Sequence, residues 1–230
     1  MLAVQDTTAV IMAGGKGARI GAMEGDLPKC LLPVAGEQPL LTRQIDQMQI
    51  AGITDILVCC SVANADIIRP FLKKGARAVA CENCKLGPLP ALAEVLTCVS
   101  TSLLLLSLAD IYFMESPFAK LHHHHEACLV TGTDRQGSTG GVTCNEELVL
   151  SISYHPEVNQ IRHWTGVFLF HKDRIPALSH NLDTYHDAPI EDWIQDLVDG
   201  GMRCTWIDGG AFVNVNRMAD YQYLLDVERP

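Results

Sequence analysis

The sequence predicts an α/β fold: one mostly parallel sheet with helices on both faces, plus a small β region. Three observations predict it. Apolar runs alternate with segments of helical periodicity through the first half of the chain. Those runs are continuously apolar, as strands covered on both faces are. A glycine-rich stretch follows the first run, where α/β proteins carry their ligand loops.

The elements follow in order. TTAVIMA (7–13) reads as a buried strand. PLLTRQIDQMQIAG (39–52) carries Leu41, Ile45 and Met48 at helical spacing, and Gly52 stops the helix. ITDILVCC (53–60) is a second strand. NADIIRPFLKKG (64–75) reads as a helix interrupted near Pro70. ARAVAC (76–81) is a third strand, PLPALAEVLTCVS (88–100) a helix, and SLLLLSLAD (102–110) a fourth strand ending in Asp110. Beyond that, ACLVTG (127–132), ELVLSIS (147–153) and TGVFLFH (165–171) read as strands. DAPIEDWIQDLVDGG has an apolar stripe of Ile190, Trp193, Ile194, Leu197 and Val198, with Asp187 as its cap, Pro189 in the first turn and Gly200 as its stop. RCTWI and AFVNV read as two late strands and MADYQYLLDVE as a closing helix. No repeat or linker divides the chain, so residues 1–230 form one domain.

The chain has 230 residues, 48% of them hydrophobic, and a net charge of −10. That acidity argues against general affinity for nucleic acid or an anionic membrane. The longest apolar run is far below the ~20 residues of a membrane helix. The first residues show no basic segment followed by a long apolar one, so the nine cysteines read as reduced thiols in a cytoplasmic protein. Cys81 and Cys84 form a lone CxxC. A zinc site needs a second ligand pair, and the nearest candidates are His122 to His125. The reading adopted is unrelated thiols and a solvated histidine run.

The glycine-rich stretch is AGGKGARIGAMEGDLPK (13–29). It lacks the Gly-Lys-Ser/Thr of a Walker A loop. Gly15, Gly17 and Gly21 partly match a dinucleotide fingerprint, which requires a helix to start at once. Glycines cost ~1 kcal/mol each in a helix interior and a proline ~3, so Gly21, Gly25 and Pro28 argue for an extended loop instead. That loop gathers Lys16, Arg19 and Lys29 in an otherwise acidic chain, which points to a polyphosphate ligand.

With these residues in view, the chain resembles the sugar-phosphate nucleotidyltransferases. AGGKGARI followed by LPKCLLPVAGEQPLL is similar to their G-G-x-G-x-R-[LM] and P-K-x-L-x-P-V motifs. The likeness continues through GITDILVCC, GPLPALAEVL and LLLLSLADIYF, then through TGVFLF and FVNVNRMADY. It implies a Rossmann-like fold of the nucleotide-diphospho-sugar transferase type, with residues 1–125 as the nucleotide-binding half and 126–230 as the acceptor-binding half. It also implies transfer of NMP from an NTP to a phosphorylated small molecule, a sugar 1-phosphate first, with release of pyrophosphate. Ala13, Gly14, Gly15, Lys16, Gly17 and Gly87 would bind the nucleotide. Arg19 would hold the leaving pyrophosphate, and Lys29 would bridge the α-phosphate and the incoming phosphate. Asp110 would hold Mg²⁺, the implied cofactor. The strand of Thr165 and Gly166 would face the acceptor.

Two places depart from the family pattern. The second metal ligand is either Asp208 of WID or Asn214 of FVNVN, and the need for a helix directly afterwards favours Asn214, with Asn216 capping that helix. The E-K-P segment is replaced by SYHPE, in which His155 stands where a lysine would hold the acceptor phosphate. The alternatives are a phosphocholine-type cytidylyltransferase, a cofactor guanylyltransferase, an NAD-dependent oxidoreductase, which needs an acid at a strand end whereas the nearby Glu37 sits in a loop, and a nucleotide-binding regulator without turnover. The late apolar segments leave room for a homodimer face.

Overall fold

The computed structural model describes residues 6–15, 27–34, 36–124, 127–134, 140–154, 162–174, 178 and 185–228. Strand β1 (Thr7–Met12) is followed beyond the glycine stretch by a one-turn 3₁₀ helix at Lys29–Leu31 and a short ribbon, β2 (Pro33–Val34) and β3 (Gln38–Pro39). Helix α1 (Leu40–Ile50), β4 (Asp55–Ser61), α2 (Val62–Ile68), β5 (Ala76–Cys81) and α3 (Pro88–Val95) come next. Then follow β6 (Leu103–Leu108), β7 (Ile111–Phe113), β8 (Cys128–Asp134), β9 (Gly141–Cys144), β10 (Val149–Ser153) and β11 (Arg162–His171). The chain closes with α4 (Ile190–Asp199), β12 (Thr205–Asn214) and α5 (Met218–Val227).

One large sheet runs in the order β5-β4-β1-β6-β11-β8-β12-β7, with β9 pairing both β11 and β10. Strands β5, β4, β1 and β6 are parallel. Strand β11 runs antiparallel to both of its neighbours, and β12 is parallel to β8. The continuous apolar runs are explained by which face each residue meets. Ala9, Ile11, Ile56, Val58 and Leu105 pack with Leu41, Ile45 and Met48 of α1 and Ile68 of α2. Val10, Leu57, Leu104 and Leu106 pack on the opposite face with Leu89, Leu92 and Val95 of α3 and with Ile190, Trp193 and Ile194 of α4. Alternate residues thus serve opposite faces, and neither face can be polar.

Trp193 is fully buried and meets Phe168 and Phe170 edge-on. Burying one such side chain contributes about 1.5–3 kcal/mol, so the α4 stripe alone anchors this helix firmly. A third cluster seats α5, through Tyr221 and Leu224, on Val213, Val215 and Tyr112.

Three local expectations are corrected. RCTWI and AFVNV belong to one strand, β12, which continues through a register shift between Asp208 and Ala211. Pro189 is the N-cap of α4, without a side-chain cap, and Asp187 lies outside it at φ 56. Asn216 does not cap α5. The Asp220 carboxylate does so, accepting the N–H groups of Asn216 at 2.9 Å and Arg217 at 2.7 Å. The helix of residues 64–75 ends before Pro70 as expected, passing into a 3₁₀ turn at Arg69–Phe71.

Candidate functional site

Parallel strands β1, β4 and β6 end on the same edge of the sheet. Ala13 extends β1 by donating its N–H to Cys59 O at 2.7 Å, and Ala109 N–H reaches Met12 O at 3.2 Å. Gly14 and Gly15 follow directly, so the glycine stretch starts at the carboxyl ends of the strands, where α/β sheets bind ligands. A cavity of about 540 Å³ opens there. Its wall includes Ala13, Gly14, Gly15, Lys29, Gly87, Asp110 and Asn214.

Lys29 occupies the first position of its 3₁₀ turn, directly after Pro28. Its ammonium lies 2.6 Å from Asp110 Oδ2 and 2.8 Å from Asn216 Oδ1. Asp110 lies just past β6. The edge strand β7 that follows turns back against the end of β12, pairing Ile111 with Asn214, and Val215 N–H donates to Asp110 O at 2.9 Å. These backbone bonds carry Asn214 and Asn216, more than a hundred residues away in sequence, to the side of Asp110. Asp110 Oδ1 is buried and has no hydrogen-bond partner among the described residues. A carboxylate oxygen so placed is suited to a hard cation. Among the described residues no three His, Cys, Asp or Glu side chains form a metal cage, so an ion here would take its other ligands from a phosphorylated substrate, as Mg²⁺ commonly does.

The two candidates for the second ligand separate cleanly. Asp208 lies in the middle of β12, is exposed, and pairs with Arg162 at 3.2 Å. The Gly210 N–H, followed by Arg162, holds its carboxyl below the usual carboxylate range. Asn214 is buried at the cavity wall.

Gly87 has a necessary conformation. Its φ is 118, and a Cβ there would stand 3.0 Å from the backbone nitrogen of Asp187. Asp187 N–H in turn donates to Leu86 O at 3.0 Å. The start of α3 is thereby locked against the loop before α4, closing one side of the cavity.

Some expected site residues fall elsewhere. Thr165 is fully buried and donates its hydroxyl to Val130 O at 2.9 Å. Gly166 (φ 80) sits in the β11 bulge between Trp164 and Val167, against Leu108 and Ile111. Neither is among the residues of the cavity wall, and Gly166 lies behind Leu108, which is. Lys16, Gly17, Arg19 and His155 lie outside the described residues. Glu37 lies at φ 71 in the turn of the separate β2–β3 ribbon, not at the end of a strand beside β1. The dinucleotide reading needs an acid at such a strand end.

Sequence reasoning missed Glu191. It is 8% exposed and lines the cavity from the first turn of α4. Burial pushes its carboxyl up to about 7, and Asp192 and Asp110 add to the rise. One signal was present in the sequence. Glu191 stands three residues before Ile194 and seven before Val198, on the edge of the apolar stripe. The cysteine reading also changes. Cys59, Cys81 and Cys84 form one cluster, and His122 is tied to Ala51 O at 2.7 Å instead of being solvated.

The fold and the cavity define an α/β domain with a ligand site at the carboxyl ends of its parallel strands. A family model for the MobA-like NTP transferase domain matches residues 9–199, and the chain belongs to that family. A curated relative, the bifunctional IPC transferase and DIPP synthase of Aquifex aeolicus (strain VF5), is 39% identical over 67 residues. That match covers 29% of this chain and 15% of the relative's length. Among solved structures, the inositol-1-phosphate CTP transferase from T. maritima superposes with a TM-score of 0.82 at 20% identity, covering 96% of this chain and 95% of that one. The CTP:phosphocholine cytidylyltransferase of Streptococcus pneumoniae superposes with a TM-score of 0.80 at 16% identity, covering 97% and 100%. No helix among the described residues is long and apolar enough to cross a membrane.

Proposed function

We propose that this protein transfers NMP from an NTP to a phosphorylated small molecule, with a sugar phosphate as the acceptor. The observation that carries the reading is the convergence of Lys29, Asp110, Asn214 and Asn216 beside the Gly14–Gly15 backbone in one cavity. An acceptor phosphate oxygen attacks the α-phosphorus of the NTP. The bond to the β-phosphate oxygen breaks, and pyrophosphate leaves with the electron pair. No protein nucleophile is needed, so positioning and charge neutralisation carry the rate.

Lys29 supplies a cation beside the α-phosphate. Without substrate its charge is balanced by Asp110 and aimed by Asn216, so it is held in place before the nucleotide arrives. Gly14 and Gly15 let the backbone come close to phosphate oxygens, and a Cβ on Gly15 would meet nothing within 4 Å. Asp110 and Asn214 would hold Mg²⁺, and the ion would supply neutralisation of phosphate charge. By the family likeness, Arg19 binds the leaving pyrophosphate and Lys16 and Gly17 complete the loop. His155 is kept as a partner of the acceptor phosphate.

The acceptor side of the cavity favours a polyol. Glu191 has a carboxyl raised to about 7, so it can both donate to and accept from hydroxyls near neutrality. Tyr154 is the only aromatic ring among the described lining residues, whereas a quaternary ammonium calls for an aromatic cage. Pyrophosphate release, measured with Mg²⁺ and each of CTP, UTP, GTP, dTTP and ATP against sugar phosphates and phosphocholine, tests the proposal. Release with one NTP and one sugar phosphate is expected. Tight NTP binding with no release against any acceptor would make the protein a nucleotide-binding regulator instead.

A further inference from the structure

Three thiols meet behind the nucleotide loop. Cys59 lies in the buried run of β4, Cys81 is the last residue of β5, and their sulfurs are 3.5 Å apart. Cys84 lies one turn on, in the 3₁₀ segment Glu82–Leu86 that Cys81 caps. Cys84 stands three residues after Cys81, with the thiols of Cys59 and Cys81 as its hydrogen-bonding neighbours. The positions differ in access. Cys59 and Cys81 are buried at 0% and 1% exposure, while Cys84 is half-buried and lines the cavity. Its sulfur would be 2.7 Å from a Cβ on Gly14, so it rests directly against the glycine that begins the nucleotide loop.

We infer that Cys84 is a site of oxidation by hydroperoxides, with Cys81 as its resolving thiol, and that the resulting disulfide weakens nucleotide binding. The effect on binding rests on the nucleotide reading of the cavity; the oxidation does not. The Cys84 thiolate attacks one oxygen of the hydroperoxide. The O–O bond breaks, hydroxide or alkoxide leaves, and Cys84 becomes a sulfenic acid. The Cys81 sulfur then attacks the Cys84 sulfur. The S–OH bond breaks, the Cys81 proton joins the departing hydroxide as water, and a disulfide remains. Two sulfurs are oxidised by two electrons in total, and the hydroperoxide is reduced by two.

The surroundings favour this division of roles. The Cys59 and Cys81 thiols both hydrogen-bond to Cys84, which draws its ionisation down; Cys59 also lowers Cys81, but the contact with Cys84 and burial outweigh that and raise it. Burial also raises Cys30 to about 12 although it lines the same cavity, so that thiol is poorly nucleophilic. Forming the bridge pulls the Cys84 sulfur toward Cys81 and off the Gly14 backbone.

Arg77 and Lys85 place both cysteines in one tryptic peptide, residues 78–85, and Cys59 in another. The full chain would be treated with a few equivalents of hydrogen peroxide, alkylated and mapped by mass spectrometry. The expected result is loss of two hydrogens within peptide 78–85, reversed by dithiothreitol, with Cys30 and Cys128 still reduced. Affinity for Mg·NTP, read by calorimetry before and after, should fall about tenfold, the effect of removing one modest interaction with the nucleotide. Cys81→Ser should still bind Mg·NTP and form a sulfenic acid at Cys84, trapped by dimedone, without a bridge. Oxidation confined to exposed Cys98, or a bridge from Cys84 to Cys59, would overturn the assignment. A bridge that leaves affinity unchanged would overturn the effect on binding. If the reduced protein binds no NTP, the nucleotide reading fails, while the peptide map still decides the thiol pair.

Discussion

Replacing Glu191 by Gln should stabilise the protein at alkaline pH and leave it unchanged in acid. The side chain is 8% exposed, and burial raises its carboxyl from 4.5 to about 7. Below pH 4.5 both folded and unfolded chains hold the proton, and the group contributes nothing. Between 4.5 and 7 the unfolded chain has released it and the folded chain has not, so stability falls as pH rises. Above 7 both are ionised, and the folded state bears the whole cost of a buried charge. At roughly 1.4 kcal/mol per unit, that cost is about 3 kcal/mol. Glutamine has nearly the same shape and no charge. Urea denaturation of both proteins from pH 4 to pH 9 gives the difference directly, since all other titrating groups cancel. The two curves should meet near pH 4 and stand about 3 kcal/mol apart by pH 8, with Glu191→Gln the more stable. Parallel curves across that range would mean that Glu191 is not held as an acid, and the polyol argument would lose its hydrogen-bond donor.

Lys29→Ala should lower turnover by at least ~10²-fold, the effect of removing one transition-state charge partner; near-normal pyrophosphate release would take Lys29 out of the mechanism. Asn214→Asp should tighten Mg²⁺ by roughly tenfold by adding a formal charge beside Asp110, and an unaltered Mg²⁺ titration would place the second ligand elsewhere. Gly87→Ala forces φ 118 on a residue with a Cβ 3.0 Å from Asp187 N; a loss of about 1–3 kcal/mol in thermal or urea unfolding is expected, together with weaker NTP binding, and wild-type behaviour in both would show that the α3–α4 junction is not strained.

Much of this molecule was legible in local patterns. A run such as LLLLSL (103–108) could only be a strand covered on both faces, and the stripe on α4 could only be a helix with one buried side. Lys29 and Asp110 were named from their motifs. These features depend on neighbours within a turn or two, so a linear reading captures them. Other features depend on strands far apart in sequence. The β12 bulge and the β7–β12 pairing decide that Asn214 reaches the cavity while Asp208 faces outward to Arg162. The position of Thr165 in β11 decides that its hydroxyl is spent on Val130 O. Packing of α4 decides how deeply Glu191 is desolvated, and the adjacency of β4 and β5 brings Cys59 to the CxxC pair. Residue types and periodicity by themselves determined the buried strands and the helices that cover them. Only the tertiary structure decided which polar groups share one desolvated space, because register and burial are set by contacts between separate segments of the chain.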